Sequence, residues 1–245
     1  MRMRKKKHGS ERLAACSELI AEIPGEPLGD PSTLFGREGA PVYLEIGAGK
    51  GGFATKMAKR RPEVCYLAME RVSDCVVLAA EGAKTAEGGM PTNLKFLVDT
   101  ADNLTRMLAP GSIDAIFLNF SDPWSKKGYA KRRLTHRRYL AVYMSLLKDG
   151  GALRFKTDNV GLFDFSLEEL DAVGLPLSKM TRDLHASEYN DGNIMTEYET
   201  AFSSQGVKIN MLEVVKPRGF ALEIPEDLRA DRKEYRYGET TDAVE

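Results

Sequence analysis

Between residues 42 and 172, short apolar runs alternate with longer stretches whose apolar positions recur at helical spacing. The runs 42–46, 64–69, 94–98, 113–118 and 152–156 predict five strands. The stretches 52–60, 74–87, 104–108, 135–147 and 162–172 predict helices, the fourth closed by Gly150-Gly151. Strands that are apolar throughout, each followed by an amphipathic helix, imply an α/β fold. Its sheet is doubly wound and mostly parallel, with right-handed crossovers. Ahead of this block, residues 1–10 read as disordered, 11–20 as a short helix, and 24–40, rich in Pro and Gly, as a loop. The chain therefore divides into a basic lead-in (1–40), the α/β domain (41–216) and a polar extension (217–245), with Phe220 and Leu222 as candidates for docking.

Composition narrows the class. A chain of 245 residues with 42% hydrophobic and 29% charged residues reads as one globular domain. No apolar run is long enough to span a bilayer, and the N-terminus lacks the apolar core of a secretory signal. Cys16, Cys65 and Cys75 are odd in number and lack metal-ligand spacing. They predict reduced thiols in a cytoplasmic protein, and with His8, His136 and His185 far apart no metal site is expected. The net charge of −1 conceals segregation. Arg2, Arg4, Lys5, Lys6 and Lys7 form one basic cluster. Lys126, Lys127, Lys131, Arg132, Arg133, Arg137 and Arg138 form a second with no acid inside it, and residues 217–245 carry eight acids against five bases. Two basic runs on a neutral body predict a face for phosphate.

Ligands of open α/β sheets bind at the carboxyl ends of the strands. Here those ends carry Glu45, Glu70, Asp99, the segment 119–124 and the segment 157–159. The first strand runs into Gly47-Ala48-Gly49-Lys50-Gly51-Gly52, which satisfies G-x-G-x-x-G, and Glu70 stands where a ribose-binding acid is expected. That signal alone does not separate a dinucleotide from S-adenosyl-L-methionine (SAM). Glu45 does, because a carboxylate two residues before the first glycine would repel a pyrophosphate but attract the sulfonium and ammonium of SAM. Asp99 adds an acid placed to meet the adenine amino group. The fourth strand ends in Asn119-Phe120-Ser121-Asp122-Pro123-Trp124, so polar residues and the only tryptophan follow a buried strand, and Trp124 offers a surface on which a base can stack.

These segments, together with Lys131-Arg132-Arg133-Leu134-Thr135, Phe155-Lys156-Thr157-Asp158-Asn159 and Met195-Thr196-Glu197-Tyr198-Glu199, closely resemble the bacterial tRNA (guanine-N7-)-methyltransferases, the TrmB family. The resemblance runs in one order over roughly residues 1–215. It implies a Rossmann-like SAM-dependent methyltransferase fold, SAM as cofactor, and tRNA as partner, methylated on a variable-loop guanosine (position 46 in the usual tRNA numbering). It further implies that Glu45, Gly47, Gly49, Glu70, Asp99 and Asp122 bind SAM and that Asp122 is catalytic. Lys126, Asp158, Thr196, Glu197, Tyr198 and Glu199 match substrate-binding positions; Lys127, Lys131, Arg132 and Arg133 match an RNA-contacting stretch. The family usually has Trp-Pro-Lys-Lys-Arg-His where this chain has Trp124-Ser125-Lys126-Lys127-Gly128-Tyr129, so an Arg and a His are missing from that contact. Direct spacing from Asp122 puts Thr100 at the family's third SAM-binding acid, and a one-residue shift puts Asp99 there. Asp99 is taken because it alone supplies a carboxylate. The resemblance leaves the choice between a monomer and a homodimer open.

N7 of guanine carries a lone pair and no proton, so the expected catalysis is alignment, with an acid among Asp122, Asp158 and Glu197 accepting from N1–H and N2–H of the base. Three other readings stand beside this one: an NAD(P)-linked oxidoreductase, a tRNA-binding protein without catalysis, and a SAM enzyme acting on an exocyclic amine.

Overall fold

The computed structural model describes residues 7–229. Its seven strands are β1 (Val42–Ile46), β2 (Cys65–Glu70), β3 (Leu94–Val98), β4 (Ile113–Asn119), β5 (Leu147–Thr157), β6 (Lys179–Thr181) and β7 (Asn210–Val215). They form one sheet in the order β3-β2-β1-β4-β5-β7-β6. The first five strands are parallel, and β7 runs antiparallel to both β5 and β6. The order reverses between β1 and β4, so the crevice of the sheet opens where β1 and β4 end, beside Glu45 and Asn119.

The helices are α1 (Gly9–Ala14), α2 (Gly52–Arg60), α3 (Ser73–Lys84), α4 (Leu104–Met107), α5 (Arg137–Leu146), α6 (Val160–Ala172), α7 (Glu197–Ser203) and α8 (Glu226–Arg229). Alternation along the strands sorts the core into two layers. Leu44, Leu67, Met69 and Leu118 meet Tyr143, Phe163 and the rest of the α4–α6 layer. Tyr66, Ala68, Phe96 and Phe117 meet Phe53, Ala54, Val76 and Ala79 of α2 and α3. Both faces of the central strands are thus covered, which is why they read as continuous apolar runs.

Several boundaries differ from the sequence reading. The first helix begins at Gly9, inside the stretch read as disordered, and stops at Ala14. Arg12 holds it, donating to Glu81 of α3 at 2.7 and 2.6 Å. Chain 17–21 then makes a 3-10 turn and pairs Ile20 with Phe96 at the sheet edge. Residues 1–6, with most of the first basic cluster, lie outside the described residues.

Gly150-Gly151 does not close a helix. α5 ends at Leu146 and both glycines lie inside β5. The register to β4 shifts there, Gly150 adopts φ 81°, and a Cβ on Gly151 would come within 2.9 Å of the Lys148 carbonyl.

The segment 217–229, read as a polar extension with two candidates for docking, is packed. Phe220, Leu222 and Ile224 lie against the core and Leu228 is buried. Asp227 pairs with Arg138 of α5 at 2.6 Å. Phe220 and Leu222 are the two docking candidates of the sequence; Ile224 and Leu228 were concealed by the acid-rich composition. Residues 230–245 lie outside the described residues. No helix among the described residues is long and apolar enough to cross a membrane.

Candidate active site

The site is built on the glycine turn between β1 and α2. Gly47 and Gly49 adopt φ 85° and 55°, a region costly for other residues, and the space a Cβ would enter is open at both. Gly51 (φ 73°) has a different role. A Cβ there would meet the Cβ of Ala79 and the Phe96 ring at 2.8 Å, so the turn is pressed directly onto the α3 layer. Glu70, at the end of β2, fastens the turn from the other side. Its Oε2 accepts from the Gly49 amide at 3.0 Å and its Oε1 from the Val72 amide at 2.9 Å.

Glu45 lies beneath this turn with 2% of its surface exposed. Its Oε1 accepts from Asn119 Nδ2 at 2.9 Å, while its Oε2 is buried without a hydrogen-bond partner. Burial pushes its carboxyl up to about 7, against the opposing effects of the Asn119 hydrogen bond and the Lys156 charge. A buried carboxylate with an orphaned oxygen is costly in isolation and calls for a donor or a cation.

A cleft unites these elements. It is lined by Glu45, the turn Gly47–Lys50, Gly52 and Phe53 on one side, Asn119 and Phe120 on the second, and Thr196, Glu197 and Tyr198 on the third. Six of the residues singled out in the sequence therefore meet: Glu45, Gly47, Gly49, Thr196, Glu197 and Tyr198. Glu197 closes on the turn so tightly that a Cβ on Gly52 would lie 3.0 Å from its Oε1. Asp158 joins from behind, its Oδ2 accepting from the Tyr198 hydroxyl at 3.2 Å.

The loop after β4 carries Asp122 between two strained residues. Phe120 and Trp124 have φ 52° and 42°, the only positive values at non-glycine positions among the described residues apart from His8. Asp122 itself is exposed and does not line the cleft. Lys126 is exposed, at the start of a 3-10 turn (Lys127–Arg132) that also exposes Lys127, Lys131 and Arg132. The Arg132 guanidinium stands 5.0 Å from the Trp124 ring centroid and 4.7 Å from that of Tyr129, so the expected stacking platform already carries a cation.

Besides Asp122, three residues differ from their expected placement. Arg133 turns inward. It donates to the carbonyls of Pro123 and Trp124 at 3.0 and 3.2 Å and stacks on Phe165 at 4.3 Å, so it braces the loop rather than presenting a charge. Glu199 is fully buried, and its carboxylate is engaged by Lys156, His185 and Asn193. Asp99 is buried with Oδ1 accepting from Thr100 N at 2.7 Å and Asn103 Nδ2 at 2.6 Å, a turn-capping arrangement. Sequence reasoning gave no role to Asn119, which holds Glu45, or to Lys156. Their signal was available: a polar side chain at, or one residue before, the end of a buried strand.

A larger groove, about 370 Å³, lies between α5 and the segment 222–227. It is remote from the glycine turn, and its arginines are spoken for, Arg137 by Glu169 and Arg138 by Asp227. The residues singled out in the sequence gather in the smaller cleft. Among the described residues no group of three His, Cys, Asp or Glu is placed to hold a metal ion.

Residues 39–212 match a family described as putative methyltransferases. A tRNA (guanine-N(7)-)-methyltransferase of Halalkalibacterium halodurans is 42% identical over 213 residues, covering 87% of this chain and 94% of the relative. Among solved structures, an antibiotic-related methyltransferase superposes with TM-score 0.53 at 15% identity, covering 87% of this chain and 96% of its own. A 16S rRNA adenine-N1 methyltransferase from Catenulisporales acidiphilia, solved with SAM, superposes with TM-score 0.51 at 13% identity, covering 89% and 96%. At such identities the two structures establish the Rossmann-like methyltransferase fold.

Proposed function

The chain belongs to the tRNA (guanine-N7-)-methyltransferase family, and from that membership we propose that it methylates N7 of a guanine in tRNA, the variable-loop guanosine at position 46, with SAM as methyl donor. The observation that carries the reading is the unpartnered, buried Oε2 of Glu45 in a cleft bounded by an open glycine turn. SAM supplies an electrophilic methyl group on a cationic sulfur. Glu45 would meet positive charge of this cofactor, and Gly47 and Gly49 leave room for its approach. Glu70, already bound to the turn, would hold the ribose hydroxyls, and Asp99 is assigned to the adenine end.

On the acceptor side, Asp122 from the β4 loop and Glu197 from the opposite wall are the carboxylates that would take the N1–H and N2–H of guanine. A carboxylate there offsets the positive charge that develops as N7 is alkylated. Thr196 and Tyr198 shape the wall beside Glu197, with Asp158 fixing the Tyr198 hydroxyl. Glu199 acts by holding this wall from behind. No general base is required, and the work of the chain is alignment. Lys126, Lys127, Lys131 and Arg132 supply contacts to phosphate, and the site of action is the cytoplasm. The direct test is mass spectrometry of nucleosides from unmodified tRNA incubated with the protein and SAM. We expect 7-methylguanosine that disappears when the variable-loop guanosine is changed; a different methylated nucleoside overturns the reading.

The two arginines separate by salt dependence. Arg132→Ala removes an exposed cation, so the slope of log affinity for tRNA against log salt should become shallower by about one. Arg133→Ala should leave that slope alone and slow methyl transfer at saturating tRNA, because it frees the carbonyls of Pro123 and Trp124. Equal changes of slope in both variants would show that Arg133 also meets phosphate.

A further inference from the structure

Lys156 is one residue short of the end of β5, paired in register with Asn119 of β4 and Met211 of β7, and only 7% exposed. Its three ammonium hydrogens meet three acceptors: Glu199 Oε2 at 2.6 Å, Asn193 Oδ1 at 3.0 Å and the Ile194 carbonyl at 3.0 Å. All three acceptors belong to one segment, residues 193–199, whose middle supplies Thr196, Glu197 and Tyr198 to the cleft. On its other side the ammonium lies 5.3 Å from the centroid of Phe53, a cleft-lining ring.

We propose that Lys156 is a positioning residue for methyl transfer, clamping the segment 193–199 to the sheet so that Thr196, Glu197 and Tyr198 face the glycine turn. The inference rests on the proposed reading of the cleft. Three observations support it. First, α7 has seven residues, too few to be stable alone, so its placement must come from tertiary contacts. Second, Thr196 and Glu199 have the spacing of a capping box but make only half of it. The Thr196 hydroxyl accepts from the Glu199 amide at 2.9 Å, whereas the Glu199 carboxylate is diverted inward to Lys156, His185 and Asn193. Third, of the other hydrogen bonds that tie this stretch to the body, Lys56 to the Met195 carbonyl, Arg60 to the Gly192 carbonyl and Tyr198 to Asp158 are exposed, and His185 to Glu199 is half-buried. Such surface contacts are screened and weak, whereas breaking a buried pair is costly. Burial drives the Lys156 ammonium below its usual range. It pushes Glu199 upward as well, but the Lys156 charge and the hydrogen bonds outweigh this and leave Glu199 low.

Lys156→Met keeps the length of the side chain and removes the clamp. In the full-length protein, amide exchange of residues 197–204 should quicken about 100-fold while β1, β4 and β5 keep their protection. S-adenosylhomocysteine should still bind, and single-turnover transfer to tRNA at saturating substrates should fall about 100-fold. Should Lys156→Met not fold, Glu199→Gln removes one charge at constant volume and should give the same localised loosening. Unchanged exchange at 197–204 in a folded variant overturns the proposal. So does a rise spread evenly over the sheet, or a loosened segment with an undiminished transfer rate. A wild-type protein that makes no 7-methylguanosine would instead refute the reading of the reaction, and the exchange experiment would still report on the clamp.

Discussion

Glu45→Gln is expected to weaken SAM binding about 10- to 100-fold while stabilising the ligand-free protein at pH 8. Both effects follow from the same buried carboxylate. In the free protein its Oε2 has no partner, and burial lifts the carboxyl to about 7 from an ordinary 4.5. The native state thus holds a proton on Glu45 at pH values where the unfolded chain has released it. Stability from this group is complete below about pH 4.5, falls as pH rises, and is lost above about 7, a difference of about 3 kcal/mol. A glutamine stays neutral throughout. Its thermal midpoint should therefore exceed the wild-type one by about 10 °C at pH 8 and by much less at pH 5. Against that gain stands the lost charge-assisted bond to the cofactor, of about 1.5–3 kcal/mol. Calorimetry with SAM and S-adenosylhomocysteine localises the contact. Weakening of both places Glu45 at the ammonium, and weakening of SAM alone places it at the sulfonium. Wild-type affinity for both, or a thermal difference independent of pH, would remove Glu45 from the cofactor site.

The parts of this molecule that were legible in its sequence are those governed by local rules. Five parallel strands showed as apolar runs because each is buried on both faces. The glycine turn showed because Gly47, Gly49 and Gly51 occupy backbone conformations that penalise a side chain. The parts that were not legible depend on partners far along the chain. β6 has only three residues and builds no periodic signal of its own; it is specified by antiparallel pairing onto β7, which itself pairs antiparallel with β5. Arg133 sits in a basic run indistinguishable by composition from its exposed neighbour Arg132, and only the carbonyls of Pro123 and Trp124 tell the two apart. Glu199 belongs to the same motif as Glu197, yet one is buried against Lys156 and the other lines the cleft, because positions two apart on a helix lie about 200° around its axis and so face opposite sides of α7. A motif names which residues gather at a site. Whether each meets the ligand or holds its neighbour in place is decided by packing.

Asp122→Ala tests the assignment that geometry leaves most exposed. This aspartate is not part of the cleft lining, and its claim rests on the loop that presents it. Phe120 and Trp124, two residues to either side, occupy the left-handed region, at a cost of about 1–2 kcal/mol each. Such conformations persist only when their surroundings enforce them. Here the Phe120 amide donates to the Lys156 carbonyl at 2.9 Å, the Phe120 ring packs 4.9 Å from that of Tyr198, and Arg133 grips the Pro123 and Trp124 carbonyls. A loop braced on both flanks around a solvent-facing acid is organised to present that acid, since a purely structural turn would have relaxed the strain. Removing an exposed side chain should shift stability by less than about 0.5 kcal/mol. Removing a carboxylate that offsets charge developing on the base should slow single-turnover transfer about 100- to 1000-fold at saturating SAM and tRNA. An unchanged rate would leave Glu197 as the acceptor-side acid. A rate restored by raising SAM alone would assign Asp122 to the cofactor. A rate that stays low with both ligands saturating makes Asp122 the group that holds guanine while its N7 is methylated.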